Sequence, residues 1–85
     1  MREILPTQRY VAELEAIEAE YGDLSAAIIA VEWALMNDAE IGTATPQAGV
    51  LVLATSEVSP SPVALVFYYS FDARRVYLES VVRTT

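Results

Sequence analysis

Apolar residues at Tyr10, Leu14, Ile17 and Tyr21 follow one another at spacings of four, three and four, which places them on one stripe of a helix. Thr7 stands where its hydroxyl can cap that helix, and Pro6 closes a short stretch, Arg2 to Leu5, that reads as an edge strand. Glu13, Glu18 and Glu20 fall off the stripe, and Arg9 is one turn from Glu13. Gly22 ends the helix and Asp23 is placed to cap the next, so the two helices form an antiparallel hairpin. Leu24, Ile28, Val31 and Leu35 repeat the same spacing. The second helix also carries another apolar row, Ile29, Trp33 and Met36, which leaves it apolar on most sides and makes that row either extra core or an association surface.

Periodicity breaks from Asn37 to Gly49, where Gly, Thr, Asn and Pro collect into a connecting loop. Strands follow. Val50 to Thr55 is short and β-rich, Ser56 to Pro62 is a loop with two prolines, and Val63 to Tyr69 is a continuous apolar run of the kind buried on both faces of a sheet. Val76 to Val82 alternates, with Asp72 and Ala73 in the turn before it. The expected architecture is α+β, in the order β-α-α-β-β-β: a helical hairpin on a small antiparallel sheet. Its expected core is Leu14, Ile17, Ile28, Val31, Leu35, Leu53, Leu65, Phe67 and Leu78.

Length and composition narrow this further. The 85 residues make one domain, 1–85, and a domain this small buries only about 60% of its unfolded surface, so a partner or a second copy is a natural source of added stability. With no cysteine, neither a disulfide nor a thiolate metal site supplies it. Apolar residues are 54% of the chain and charged ones 20%, which excludes a disordered polymer. The longest apolar run is far short of the roughly 20 residues that span a bilayer, and MREILPTQ lacks an apolar signal core, so a cytoplasmic protein is expected.

The formal charge is −7, with five Lys and Arg together against twelve Asp and Glu, and no histidine. All five cations are arginine, and three of them, Arg74, Arg75 and Arg83, lie in the last eighteen residues. That balance opposes tight nucleic-acid binding, which draws on cations to neutralise phosphates, and fits a basic partner better. It also removes the side chain most used for proton transfer near neutral pH. Glu13, Glu15, Glu18 and Glu20 scatter around the first helix without a metal-ligand spacing, and no phosphate loop or nucleophile elbow occurs, so no metal or cofactor is expected.

The order of elements, with VEWALMNDAEIGTATPQAGVLVLATSE and VFYYSFDARRVYLESVVR, resembles the RelE/ParE superfamily of bacterial toxins from toxin–antitoxin modules. Tyr69, Phe71, Asp72, Val76 and Leu78 match the family's strand–turn–strand. The resemblance implies a concave sheet face whose basic and aromatic residues cleave ribosome-bound messenger RNA in RelE-like members or poison gyrase in ParE-like ones. Arg83 matches a basic position near the end of the last strand. With Tyr77 and Tyr69 it is the candidate catalytic set, and Arg74 is a further candidate.

Other family positions are unfilled. Val50 to Thr55 has no cation, Val66 stands where a strand arginine is expected, and the chain reaches only two residues beyond Arg83. Arg74 and Arg75 are expected in a solvated turn formed by Asp72. The reading that follows is a toxin-family protein with weak or no ribonuclease activity that acts through protein binding at Trp33, Ile29 and Met36, with an antitoxin-like protein or a second copy as partner. The alternatives are an active messenger-RNA endoribonuclease, a gyrase-directed toxin, or an unrelated α+β dimerisation module.

Overall fold

A computed structural model describes residues 1–84. Strand β1 (Glu3–Pro6) leads into helices α1 (Gln8–Tyr21) and α2 (Ser25–Asn37). Strands β2 (Thr43–Ala44), β3 (Leu51–Ala54), β4 (Leu65–Phe71) and β5 (Arg75–Arg83) follow. They form one five-stranded sheet in the order β1-β5-β4-β3-β2, with the helices on one side of it. The α+β architecture expected from periodicity is the one observed. Two details differ: the loop after α2 contributes the two-residue strand β2, and β1 runs parallel to β5 while the other pairs are antiparallel.

Local chemistry explains the helix boundaries. Thr7 is the N-cap of α1: its Oγ1 accepts from the Tyr10 N–H and its hydroxyl donates to the Leu78 carbonyl at 2.9 Å. Gly22 ends the helix with φ +89°, a left-handed conformation that glycine adopts without steric cost. The N-cap position of α2 is Leu24 rather than Asp23. Asp23 still serves the entry, since its Oδ1 accepts from the N–H and hydroxyl of Ser25, while Glu18 Oε2 accepts from the Leu24 N–H.

Val31, Leu35, Leu53, Leu65, Phe67 and Leu78 are fully buried, as the spacing predicts, while Leu14, Ile17 and Ile28 pack at the rim of this core. Tyr10, Leu24, Ala39, Tyr69, Val76 and Val81 complete it. Strand β4 lies between β5 and β3 but is buried on one face only. Leu65, Phe67 and Tyr69 point under the helices, and Val66 and Tyr68 stand half-buried on the opposite face.

β1 pairs with only the first half of β5, Arg75 to Leu78, and α1 lies along the remainder. The register shifts by one residue where Tyr68 pairs with Ser80 but Tyr69 pairs with Leu78, so Glu79 is the extra residue of a bulge. Glu13 closes this break. Its Oε1 accepts from the Ser80 hydroxyl at 2.8 Å and from the Val81 N–H at 3.2 Å. An edge N–H that would otherwise lack a partner is thereby paired. Burial pushes the Glu13 carboxyl up, but the hydrogen bonds from Ser80 and Val81, with the Arg9 charge, outweigh it and hold the group below the usual carboxylate range.

A carboxylate depressed in the folded state stabilises fully above its unfolded pKa and loses that contribution as pH falls through the folded one. Glu13→Ala is therefore expected to cost about 1–3 kcal/mol at pH 7 by stranding the Val81 N–H and Ser80 hydroxyl. The deficit should shrink as pH drops below the carboxylate range, which denaturant melts at several pH values would measure.

Candidate functional site

Because paired residues on adjacent strands share a face, the register defines the open side of the sheet. Val52 and Tyr68 face each other there across β3 and β4, Ala54 faces Val66, and Val66 and Tyr68 continue to Val82 and Ser80 on β5. Where this surface meets the start of α1 it forms a groove of about 520 Å³. Tyr68, Ser80 and Val82 make its floor, Thr7, Arg9 and Glu79 lie toward α1, and Gln47 and Val50 flank it on the β3 side.

The groove is electrostatically poor. Arg9 is the one cation among the described residues lining it, and its Nε already lies 3.4 Å from Glu13 Oε2. Glu79 adds a negative charge. An anionic polymer would meet neutral or acidic side chains and, at most, a compensated arginine.

The sequence candidates are distributed elsewhere. Tyr69 is fully buried on the helix side, where its hydroxyl donates to the Ala39 carbonyl at 2.7 Å and accepts from the Gly42 N–H at 2.9 Å. Burial raises its pKa, so it stays a neutral strut for the loop before β2. Tyr77 pairs with Ser70 on the open face, and its hydroxyl donates to Asp72 Oδ2 at 3.0 Å. Arg83 pairs with Leu65 on the helix side and lays its guanidinium 4.9 Å from the centre of the Tyr21 ring. Tyr77 and Arg83 are six positions apart along β5, on the order of 20 Å. The structure does not gather Arg83, Tyr77 and Tyr69 into one site.

The β4–β5 turn is built by Asp72, whose Oδ1 accepts from the N–H groups of Arg74 and Arg75, both at 2.8 Å. Those backbone bonds, led by the one from Arg74, hold its carboxyl below the usual range. Both arginine side chains are exposed, and Arg75 Nε sits 3.4 Å from Glu3. Arg2 packs over Phe71 and donates to the Asp72 carbonyl. Three of the five arginines thus serve the hairpin and its neighbour strand.

The row on α2 separates. Ile29 is 64% exposed and Trp33 60% exposed, while Met36 is half-buried and its carbonyl accepts from the Arg2 N–H. Trp33 is therefore surface, not extra core. Sequence reading missed Tyr68, Val66, Val52 and Val82 as a shared face. The signal was present in the strict alternation of β4, but apolar residues at both parities hid which side is covered.

The sequence matches no protein-family model and no curated protein. Solved structures share its fold. A chain of the E. coli DinJ–YafQ toxin–antitoxin complex superposes with a TM-score of 0.68 at 11% identity, over 96% of this chain and 91% of that one. YafQ from E. coli strain BL21(DE3) gives 0.65 at 9% identity, over 99% and 94%. The chromosomal ParDE toxin–antitoxin system of P. aeruginosa gives 0.66 at 18% identity, over 100% and 98%. At these identities the common property is the fold, and the chain has the RelE/ParE fold that its strand–turn–strand resembles.

Proposed function

We propose that this chain is a toxin-like protein of a bacterial toxin–antitoxin module that acts by binding another protein and has little or no ribonuclease activity. One observation carries the second half of that reading: the open sheet face presents Val52, Ala54, Val66, Tyr68 and Val82, and its groove has Arg9 as its one cation among the described residues. Cleaving RNA requires positive charge placed where the transition state becomes more negative, and removing a single preorganised donor costs on the order of 3 kcal/mol in enzymes that use one. The toxin–antitoxin assignment is supported by the fold shared with a chain of the DinJ–YafQ toxin–antitoxin complex and with the ParDE toxin–antitoxin system.

The binding surface is the exposed ridge of Ile29 and Trp33 on α2, with Met36 at its margin. An apolar ridge with no covering element is the usual mark of an association site. Among the described residues no helix is long and apolar enough to cross a membrane, and we place the protein's action in the cytoplasm.

Expression in a bacterial host without any antitoxin tests the reading. Growth and bulk messenger RNA should stay close to those of the empty-vector control. Strong arrest with ribosome-dependent cleavage, lost on Arg83→Ala, would overturn it. Trp33→Glu should leave the melting temperature within about 3 °C of the parent, since surface substitutions usually stay within about 0.5 kcal/mol. A large loss of stability in that variant would make Trp33 structural.

A further inference from the structure

Resting on the protein-binding reading, we infer that the partner of the α2 ridge is a basic amphipathic helix of another protein, seated on Ile29 and Trp33 with its lysines or arginines toward Glu32 and Glu18. From Tyr10 to Ala73 the chain contains no lysine or arginine. That span includes all of α2 and every residue of α1 beyond Arg9, while Glu13, Glu15, Glu18, Glu20, Asp23 and Glu32 lie along the hairpin. A partner helix laid on the ridge meets Glu32 beside Ile29 and Trp33 on α2, while the arginines that reach the hairpin do so at its ends, Arg2 at Met36 and Arg83 over Tyr21.

Tyr10 is 2% exposed, and its hydroxyl has no hydrogen-bond partner among the described residues. Buried polar groups are normally paired, so such an orphan requires a reason. Burial raises the Tyr10 pKa, and the charges of Glu32 and Glu18 raise it further. Glu32 is itself pushed up by desolvation, and it makes no ion pair among the described residues. A carboxylate partly removed from water without a cation is costly, and a lysine or arginine brought by the partner offsets that cost.

The same charges argue against a second copy. Two chains of formal charge −7 meeting through α2 would bring Glu32 and its acidic neighbours toward their own counterparts, and like charges across an interface cost affinity. A basic helix reverses the sign of that term. Its apolar stripe at helical spacing would cover Ile29 and Trp33, the mode in which a helix lies on a complementary surface.

The single tryptophan of the chain is a built-in reporter. Two synthetic peptides of about 20 residues, long enough to hold a helix, would carry the same leucine stripe, one flanked by lysines and the other by glutamates. The lysine-flanked peptide should shift Trp33 emission to the blue in a saturable, salt-weakened manner, with affinity at least about tenfold above the glutamate-flanked one. Ile29→Glu should abolish the shift. Glu32→Gln should weaken it by roughly fivefold without lowering the melting temperature.

Equal or tighter binding of the glutamate-flanked peptide would overturn the basic-partner inference alone. So would a concentration-dependent dimer that buries Trp33 without peptide. No shift with either peptide and no self-association would remove the protein-binding reading together with it.

Discussion

Gly42→Ala is expected to lower the melting temperature by at least about 10 °C, since each kcal/mol moves a domain of this size by about 4–8 °C. A Cβ at position 42 would run into the Tyr69 hydroxyl and stand 2.9 Å from the Val52 carbonyl oxygen. The first neighbour is the strut that ties Ala39 and Gly42 to β4, and the second is backbone of β3, which cannot step aside alone. Overpacking of this kind costs about 1–3 kcal/mol, and stranding the Gly42 N–H and Ala39 carbonyl adds about 1–3 more. Tyr69→Phe should cost only the hydrogen-bond share. The double variant should be more stable than the sum of the two predicts, because the hydroxyl clash exists only when both groups are present, yet less stable than Tyr69→Phe, because the ring carbon of residue 69 and the Val52 carbonyl remain at 2.9 Å. A Gly42→Ala protein that melts like the parent would show that the loop is not clamped by Tyr69.

Phe67→Ala and Val66→Arg should differ sharply although they are neighbours on β4. Phe67 is 0% exposed and packs its ring 6.1 Å from that of Tyr10, so its truncation is expected to cost about 3–5 kcal/mol. For a domain of 85 residues that is a large share of a total stability of roughly 4–13 kcal/mol. Val66 faces Ala54 and Val82 on the uncovered side, where an arginine can carry its charge into water along its own stem. That substitution should cost no more than about 1 kcal/mol. Denaturant melts of the two variants would decide it, and a Val66→Arg protein as unstable as Phe67→Ala would mean that the face is covered.

Periodic features were legible in the sequence because their cause is local. The four-three-four stripes, the Thr7 cap, the Gly22 stop and the Asp72 turn all depend on residues within a turn of one another. The parallel pairing of β1 with β5 was not legible, because Glu3 and Arg75 meet only after both helices have folded between them. Glu13 looked like one solvated carboxylate among several, since nothing near it in the chain announces the bulge at Glu79 that it closes. Tyr69 looked like a site residue because it matches a family turn, but its burial depends on the loop of Ala39 and Gly42 arriving beside it. Trp33 was undecided for the opposite reason: the stripe of Leu24, Ile28, Val31 and Leu35 fills the space under the helices, and only the packed structure shows that none is left.

The most direct measurement of the central claim, a toxin fold whose open face does not cut RNA, is incubation of the purified protein with translating ribosomes and mapping of messenger-RNA ends by primer extension. The expected result is an end pattern identical to that of ribosomes alone, even with protein in large molar excess. New cleavage positions within the ribosomal A site, produced by the parent chain and lost on Arg83→Ala or Arg9→Ala, would contradict it.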